Sequence, residues 1–497
     1  MDFLHPADWL VIVAYLAAMI VMGWWLGRGQ TSTRDYFLGG KDIPWWGVSL
    51  SIIATETSAL TFITIPAAVF LEGGNLGFIQ VVLGFVTARV ILAMFFVPLY
   101  FGGEIYSPYQ LLRDRFGKAS GQTASVFFLI AGTLAAGVRV YVTCIPIELI
   151  LGIKISWAIV LFVSLSLIYT FLGGIKAVIW TDALQFFFLV GGGLFAAFYI
   201  PSLLPQGWSG MMEMAGAAGK LEWLNPLPSS DTLMGMPYNL VMGLVGGAIF
   251  GMSTHGADQL IVQRVLTCRN IQDGRRSLIL SAVVILPLFL LFLFVGVGLW
   301  SYFEVADMKI PLPEGTAGFK QADYVFPIFI ITETPVVARG LLIVGILSAA
   351  MSSISSALSA LASVSTMDLL KPLLKSDDPG RLLRFSKVST IGWGIVLAAV
   401  AFLTRDVKSA LPIAFKLTGL TSGGMLGAIL LAIIWHRGSS LPVVTGMLTS
   451  LAGMIFISVR FGSEVAWPWY AAIGAALTVV TATLLRTILA PPQDPGP

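Results

Sequence analysis

Long apolar runs separated by short polar breaks fill this sequence from end to end. A helix that crosses the hydrocarbon of a bilayer needs about 20 predominantly apolar residues, and the runs reach that length repeatedly. They predict about thirteen helices, at 8–27, 45–70, 77–101, 122–151, 156–172, 177–202, 236–258, 277–302, 336–366, 385–404, 409–435, 441–459 and 467–485. The expected fold class is an all-α integral membrane protein, with one polytopic domain over residues 1–490 and a short proline-rich tail at 491–497. Composition agrees, because charged residues are only 11% of the 497 where a soluble domain is roughly a quarter charged. The first run follows an acidic start and lacks a small-residue cleavage site, so it is expected to be a retained span rather than a signal peptide.

Lysine and arginine divide unevenly between the two sides of this topology. Arg113, Arg115, Lys118, Arg264, Arg269, Arg275, Arg381, Arg384 and Lys387 belong to the richer side. The other side carries fewer than half as many, among them Lys154, Lys220, Arg339 and Arg460. The positive-inside rule then puts the N-terminus outside and the C-terminus in the cytoplasm, in a plasma (inner) membrane. The net charge of +3 gives no nucleic-acid footprint. The two cysteines, Cys144 and Cys268, exclude a disulfide scaffold. There is no Walker, HExxH or GxSxG pattern, and His5, His255 and His436 lie far apart, so neither an ATP-driven pump nor an enzyme is expected.

Two of the runs are interrupted. The second contains ATETSALT at residues 54–61, dense in hydroxyls and holding Glu56 mid-span. The seventh contains Gly243, Gly246, Gly247, Gly251 and Gly256 ahead of Asp258. In lipid such breaks persist only where they are buried or line a cavity, and carbonyls freed at a break can bind a cation. Paired interrupted segments in two halves of a chain point to an inverted-repeat transporter; the alternative reading is glycine-mediated helix packing. Ionisable groups within spans mark a pathway or site by default, and Glu56, Arg139, Asp182 and Lys416 are of this kind, with Arg89 also inside a span. Asp182 reads alternatively as an interfacial cap one turn past Lys176. The ninth run, SAAMSSISSALSALASVS, sets Ser352/Ser356 and Ser355/Ser359 at i, i+4 on one helical stripe. Such serines either permit tight packing or offer oxygens to a hard cation such as sodium, whose charge one carboxylate would offset.

Taken with DYFLGGKDIPWWGVSLSIIAT, GGIKAVIWTDALQFF, QRVLTCRN and the TGLTSGG stretch at 418–424, these motifs resemble the sodium/solute symporter family, which includes the sodium–glucose cotransporters, from about residue 8 to 440. The resemblance implies a leucine-transporter-like fold, with two inverted five-helix repeats at about 45–202 and 236–435, one leading helix and two trailing ones. It implies sodium as the coupling ion. A shared sodium site would use backbone carbonyls at Ala54 and Thr57 with Ala349, Ser352 and Ser353. A second sodium site would use Asp182, Ser352, Ser355 and Ser356, giving two ions per cycle. With a neutral solute, two charges crossing 100 mV would supply about 4.6 kcal/mol, roughly three decades of accumulation.

Glu56 departs from the family pattern, which has Asn in sugar-transporting members and Thr in sialic-acid members. The candidate solute contacts are Glu56, Thr57, Ser58, Thr61, Gln80, Arg139 and Phe415, with Phe415 standing where sugar members carry Gln. Glu56 is expected either to touch solute or to pair with Arg139. The favoured partner is a small neutral polyhydroxylated solute, a sugar or polyol. A carboxylate, sialic acid or amino acid is the alternative, and a solute sensor or channel the competing class. Oligomeric state is not legible in the sequence.

Overall fold

The structure, a computed structural model, describes residues 4–225, 233–235, 238–313, 321–374, 378–404, 410–435, 437–462 and 464–489, with the side chains of 59–60 and 410–417 outside that set. The side chains of Phe415 and Lys416, together with His436 and the tail at 491–497, therefore lie outside the described residues. Among the described residues all regular structure is helical. Among the described residues nine helices are long and apolar enough to cross a membrane, or ten if one bent pair counts as a single span.

The helix starts follow from local chemistry. α1 (Pro6–Leu26) opens with a proline in its first turn and a capping box between His5 and Asp8. The bent pair is α2 (Trp45–Glu56) and α3 (Ala59–Phe70). It is followed by α4 (Leu76–Tyr100), a short amphipathic α5 (Pro108–Phe116) and α6 (Lys118–Leu151). α7 (Ile155–Ser202) has 48 residues, about 72 Å at 1.5 Å per residue. That is more than twice the ~30 Å of bilayer hydrocarbon. The expected division between 156–172 and 177–202 is present as a turn at Gly174, whose φ/ψ of 55°/−154° is open only to glycine. A Cβ at Gly174 would also meet the Tyr36 carbonyl oxygen at 2.5 Å.

α8 runs through consecutive segments Met242–Gly246, Gly247–Met252 and Ser253–Ala257. α9 (Gln259–Val265) begins after an extended residue, Asp258, whose carboxylate accepts the Leu260 N–H and starts the new helix. The glycine-rich run is thus not itself the break. Its glycines press α8 onto α4: a Cβ on Gly84 would meet the Gly243 carbonyl oxygen at 2.1 Å, and one on Gly251 would meet the Ala88 Cβ at 2.7 Å. The seventh run thus contains both a break and a glycine packing contact, at different residues.

The remaining helices are α10 (Ile271–Val305), α11 (Val325–Glu333), α12 (Ala338–Leu374), α13 (Pro379–Leu403), α14 (Ala410–Ile434), α15 (Ser440–Arg460) and α16 (Trp467–Leu489). α12 is the centre of the bundle, with 89% of its apolar window buried. It packs against α7 most extensively and also against α1, α2, α6 and α13. A serine-rich helix is suited to that place because small side chains admit neighbours closely and bond their hydroxyls to the backbone one turn back.

Gly174→Ala is expected to destabilise the protein by about 1–3 kcal/mol, from backbone strain and the clash with Tyr36. A thermal melt in detergent should show a lower Tm than wild type, and an unchanged Tm would count against a strained turn there.

Candidate functional site

The break in the second span forms at Thr57 and Ser58. Thr57 leaves the helix with ψ 83° and closes α2 by donating both its N–H (2.9 Å) and its hydroxyl (2.6 Å) to the Ile53 carbonyl. The Ser58 N–H, which a continuous helix would give to Ala54, goes instead to Glu56 at 3.1 Å. The Ala54 carbonyl is thereby released at the place where the sequence reading put a cation ligand. Ala54, Thr57, Ala349 and Ser352 are all buried, and α2 packs on α12. Ser353 is half-buried and bonds back to the Ala349 carbonyl at 3.1 Å.

Asp182 is fully buried, and its carboxylate is engaged by side chains of other helices rather than by a helix end. Its Oδ1 accepts the Ser352 hydroxyl at 2.7 Å, and its Oδ2 accepts Ser51 at 2.6 Å and Thr55 at 3.4 Å. Ser355 and Ser356 bond to the Ser352 carbonyl at 3.1 and 2.6 Å. The carboxylate also holds a partner that sequence reasoning assigned to a cytoplasmic loop. Arg264 on α9 pairs with Asp182 at 2.9 Å, with both side chains 0% exposed. The signal was present in the text IVQRVL, where a lone cation interrupts an apolar stretch.

Glu56 does not pair with Arg139. It pairs with Arg89 of α4, whose side chain is 0% exposed while that of Glu56 is 13% exposed. Arg89 also donates through Nη2 to His255 Nε2 (3.1 Å), through Nε to Ser281 (3.1 Å) and through Nη1 to the Phe85 carbonyl (3.0 Å). His255 Nε2 also lies 3.4 Å from Glu56 Oε2, so it stands between a donor and an acceptor, and Nδ1 faces the Thr254 hydroxyl at 2.9 Å. This cluster joins α2, α4, α8 and α10. Arg89 was recognisable as a cation inside a span, but the sequence did not say which acid it meets.

Arg139 lines a small cavity with Ala136, Thr143, Leu260, Ser353 and Ala357. The cavity volume of about 10 Å³ is close to one water, so the described conformation is closed there. Among the described residues Arg139 makes no hydrogen bond, and Asp258 is the acid within its electrostatic range. Gln80 is fully buried and its amide is engaged by backbone, donating to Gly77 (3.2 Å) and Tyr238 (3.3 Å) and accepting from Asn225 (3.2 Å). Ser58 and Thr61 are half-buried beside the α2–α3 break. No group of three or more His, Cys, Asp or Glu that could hold a metal occurs among the described residues, so an ion would rely on carbonyls, hydroxyls and single carboxylates.

Broken helices around a buried core of carbonyl, hydroxyl and paired charge belong to an ion-coupled membrane carrier. Residues 36–450 match the family model of the sodium:solute symporter family. The sodium/sialic acid symporter SiaT of Proteus mirabilis (strain HI4320) is 30% identical over 98% of this chain and 96% of its own length. The sodium/glucose cotransporter of Vibrio parahaemolyticus is 28% identical, covering 90% of this chain and 84% of that one. A solved substrate-bound, outward-open Na+-coupled sialic acid symporter superposes with a TM-score of 0.86 at 28% identity, over 99% of each chain. The chain belongs to the sodium:solute symporter family, and sodium is its coupling ion. The leucine-transporter-like fold expected from the sequence agrees with these comparisons.

Arg89→Met should destabilise the protein by about 3–5 kcal/mol, because it leaves Glu56 charged and unpaired in the interior. Adding Glu56→Gln should recover much of that loss. Equal unfolding free energies for the single and double variants would show that the two side chains are not coupled.

Proposed function

We propose that the protein is a sodium-coupled symporter of a small carboxylate-bearing solute, working by alternating access. The observation that carries the solute class is Arg139. Its guanidinium faces a cavity shared with Ser353 and makes no hydrogen bond among the described residues. Arginine receives carboxylates in bidentate geometry. Glu56, which would repel such a solute if free, has its charge matched by Arg89. The relatives add support, since one is a sialic acid symporter and another is the human sodium-coupled monocarboxylate transporter 1 at 26% identity. This reading replaces the neutral sugar or polyol favoured by sequence. The half-buried hydroxyls at Ser58 and Thr61, together with the glucose cotransporter relative, favour a sugar acid over a simple acid within the class.

In this reading the bundle has thirteen spans. α7 divides at Gly174, and α2–α3, α8–α9 and α14 each count as one span beside the long helices. Two inverted five-helix repeats occupy about 45–202 and 236–435, and their broken members, α2–α3 and α8–α9, meet at the site. The distribution of lysine and arginine supports an outside N-terminus and a cytoplasmic C-terminus in the plasma membrane. One sodium binds the released Ala54 carbonyl with Thr57, Ala349, Ser352 and Ser353. A second binds Asp182 with Ser352, Ser355 and Ser356. Two sodium ions with a monoanion move one net charge, so 100 mV contributes about 2.3 kcal/mol, and the sodium gradient adds the rest.

A thermal-shift panel of sialic acids, monocarboxylates, amino acids, sugars and polyols, with and without sodium, tests the class. Carboxylates should stabilise the protein only when sodium is present. Arg139→Ala should weaken that response about ten- to hundredfold, as expected for loss of a charge-assisted hydrogen bond. A response to neutral sugars that Arg139→Ala leaves intact would overturn the reading, and a ligand response indifferent to sodium would favour a sensor. Separately, Ser353→Ala should raise the sodium concentration for half-maximal uptake in proteoliposomes; an equal value would remove Ser353 from the ion site.

A further inference from the structure

We infer that Arg264 is the resident counter-cation of the Asp182 site, and that sodium binds there by displacing its guanidinium. The inference rests on the second-sodium reading given above. It absorbs the QRVLTCRN motif, to which the transport reading assigns no part.

The geometry is that of a seat already taken. Arg264 Nη2 donates to Asp182 Oδ2 at 2.9 Å and to Ser356 Oγ at 2.5 Å. These two oxygens belong to two of the four residues proposed to hold the second sodium, and a single guanidinium nitrogen bridges them. Arg264 Nε donates to Ser51 at 2.8 Å, and Ser51 donates to the same Asp182 oxygen at 2.6 Å. Nη1 reaches back along α9 to the Leu260 carbonyl. Arginine and aspartate are both 0% exposed.

A sodium ion and a guanidinium at adjoining positions in a water-poor interior repel strongly. The two cations therefore cannot hold the same pair of oxygens together. Without either one, Asp182 would be an unpaired buried carboxylate, which costs several kcal/mol. Arg264 keeps the sodium-free carrier neutral at this point, and sodium replaces one matched charge with another.

The displaced side chain has a destination on its own helix. Leu260 already receives Nη1, and Asp258, at the break just before α9, lies in electrostatic range of both Arg264 and Arg139. Movement toward the break brings Arg264 to Asp258 in competition with Arg139. Arg139 is then the freer of the two to receive an anionic solute. Sodium at Asp182 would in this way raise affinity at a separate site, by passing one positive charge along α9.

The test uses the full-length protein in detergent, titrated with sodium at constant ionic strength in the absence of solute. Arg264→Gln should melt below wild type without sodium, and the sodium concentration for half-maximal stabilisation should fall about tenfold once the competing buried cation is gone. Asp182→Asn combined with Arg264→Gln should regain stability without sodium and lose the sharpened response. If Arg264→Gln lowers Tm but leaves the sodium midpoint unchanged, while Asp182→Asn alone shifts it, Arg264 is structural and the inference fails with the second site intact. If Asp182→Asn leaves the sodium titration as in wild type, the second site itself fails and the inference goes with it. Should Arg264→Gln not fold, Arg264→Lys keeps the charge but cannot make the same bridge. A lower sodium midpoint in that variant supports displacement, and an unchanged one overturns it.

Discussion

A lone charge in a low-dielectric interior costs several kcal/mol unless an opposite charge and hydrogen bonds meet it. Three acids of the bundle live under that constraint at or near the places where helices break. Glu56, the last residue of α2, is held by Arg89. Asp182 is held by Arg264 and three hydroxyls. Asp258, the residue between α8 and α9, has Arg139 and Arg264 in range. The partners come from different helices, so each pairing is also a tie between elements. Matched in this way, the interior can contain both broken backbone and charge without leaving either exposed to hydrocarbon.

The breaks and the charges are linked through the backbone. Thr57 turns the chain by taking the Ile53 carbonyl twice, and the Ser58 N–H moves to Glu56. One carbonyl, that of Ala54, is left without its helical donor as a result. At the other break Asp258 supplies the cap that α9 lacks from its own backbone. Short polar side chains thus do in the membrane what water does for helix ends in soluble proteins. They leave oxygens aimed inward, where an ion can use them.

Much of this was legible in the sequence because apolar run length and span length are set by the same bilayer thickness. Most helix ends fall within a few residues of the runs, though α10 and α13 begin six residues earlier than expected and α12 ends eight later, and the divided α7 was visible as a glycine pair flanked by two spans. The composition of ATETSALT announced a break in α2–α3. Partners were harder to read. Arg264 looked like the start of a loop because the following residues, Thr267 to Asn270, are polar, whereas the side chain folds back along α9 into the core. Glu56 was given to Arg139 when Arg89, equally far from lipid-tolerant chemistry, was the one on the adjoining helix. Hydropathy places a residue at a depth, but it does not say which neighbouring helix its side chain faces. The glycines of the seventh run were likewise ambiguous between a break and a close contact, and the break fell at Asp258.

That close contact has a mechanical consequence. Where Gly84 meets Gly243 and Gly251 meets Ala88, no layer of long side chains separates α4 from α8. Two helices normally slide or roll past one another by rotamer changes in such a layer, and here there is little to rearrange. The two backbones lie at direct contact, so any side chain larger than hydrogen at Gly84 or Gly243 would force α4 and α8 apart. The Glu56–Arg89–His255 cluster ties the same pair of helices and fastens them to α2 and α10 as well. The opposite end of the broken span, α9, has no such glycine seam onto α4. The chain changes direction at Asp258, with the glycine-packed α8 on one side and a short, separately capped helix on the other.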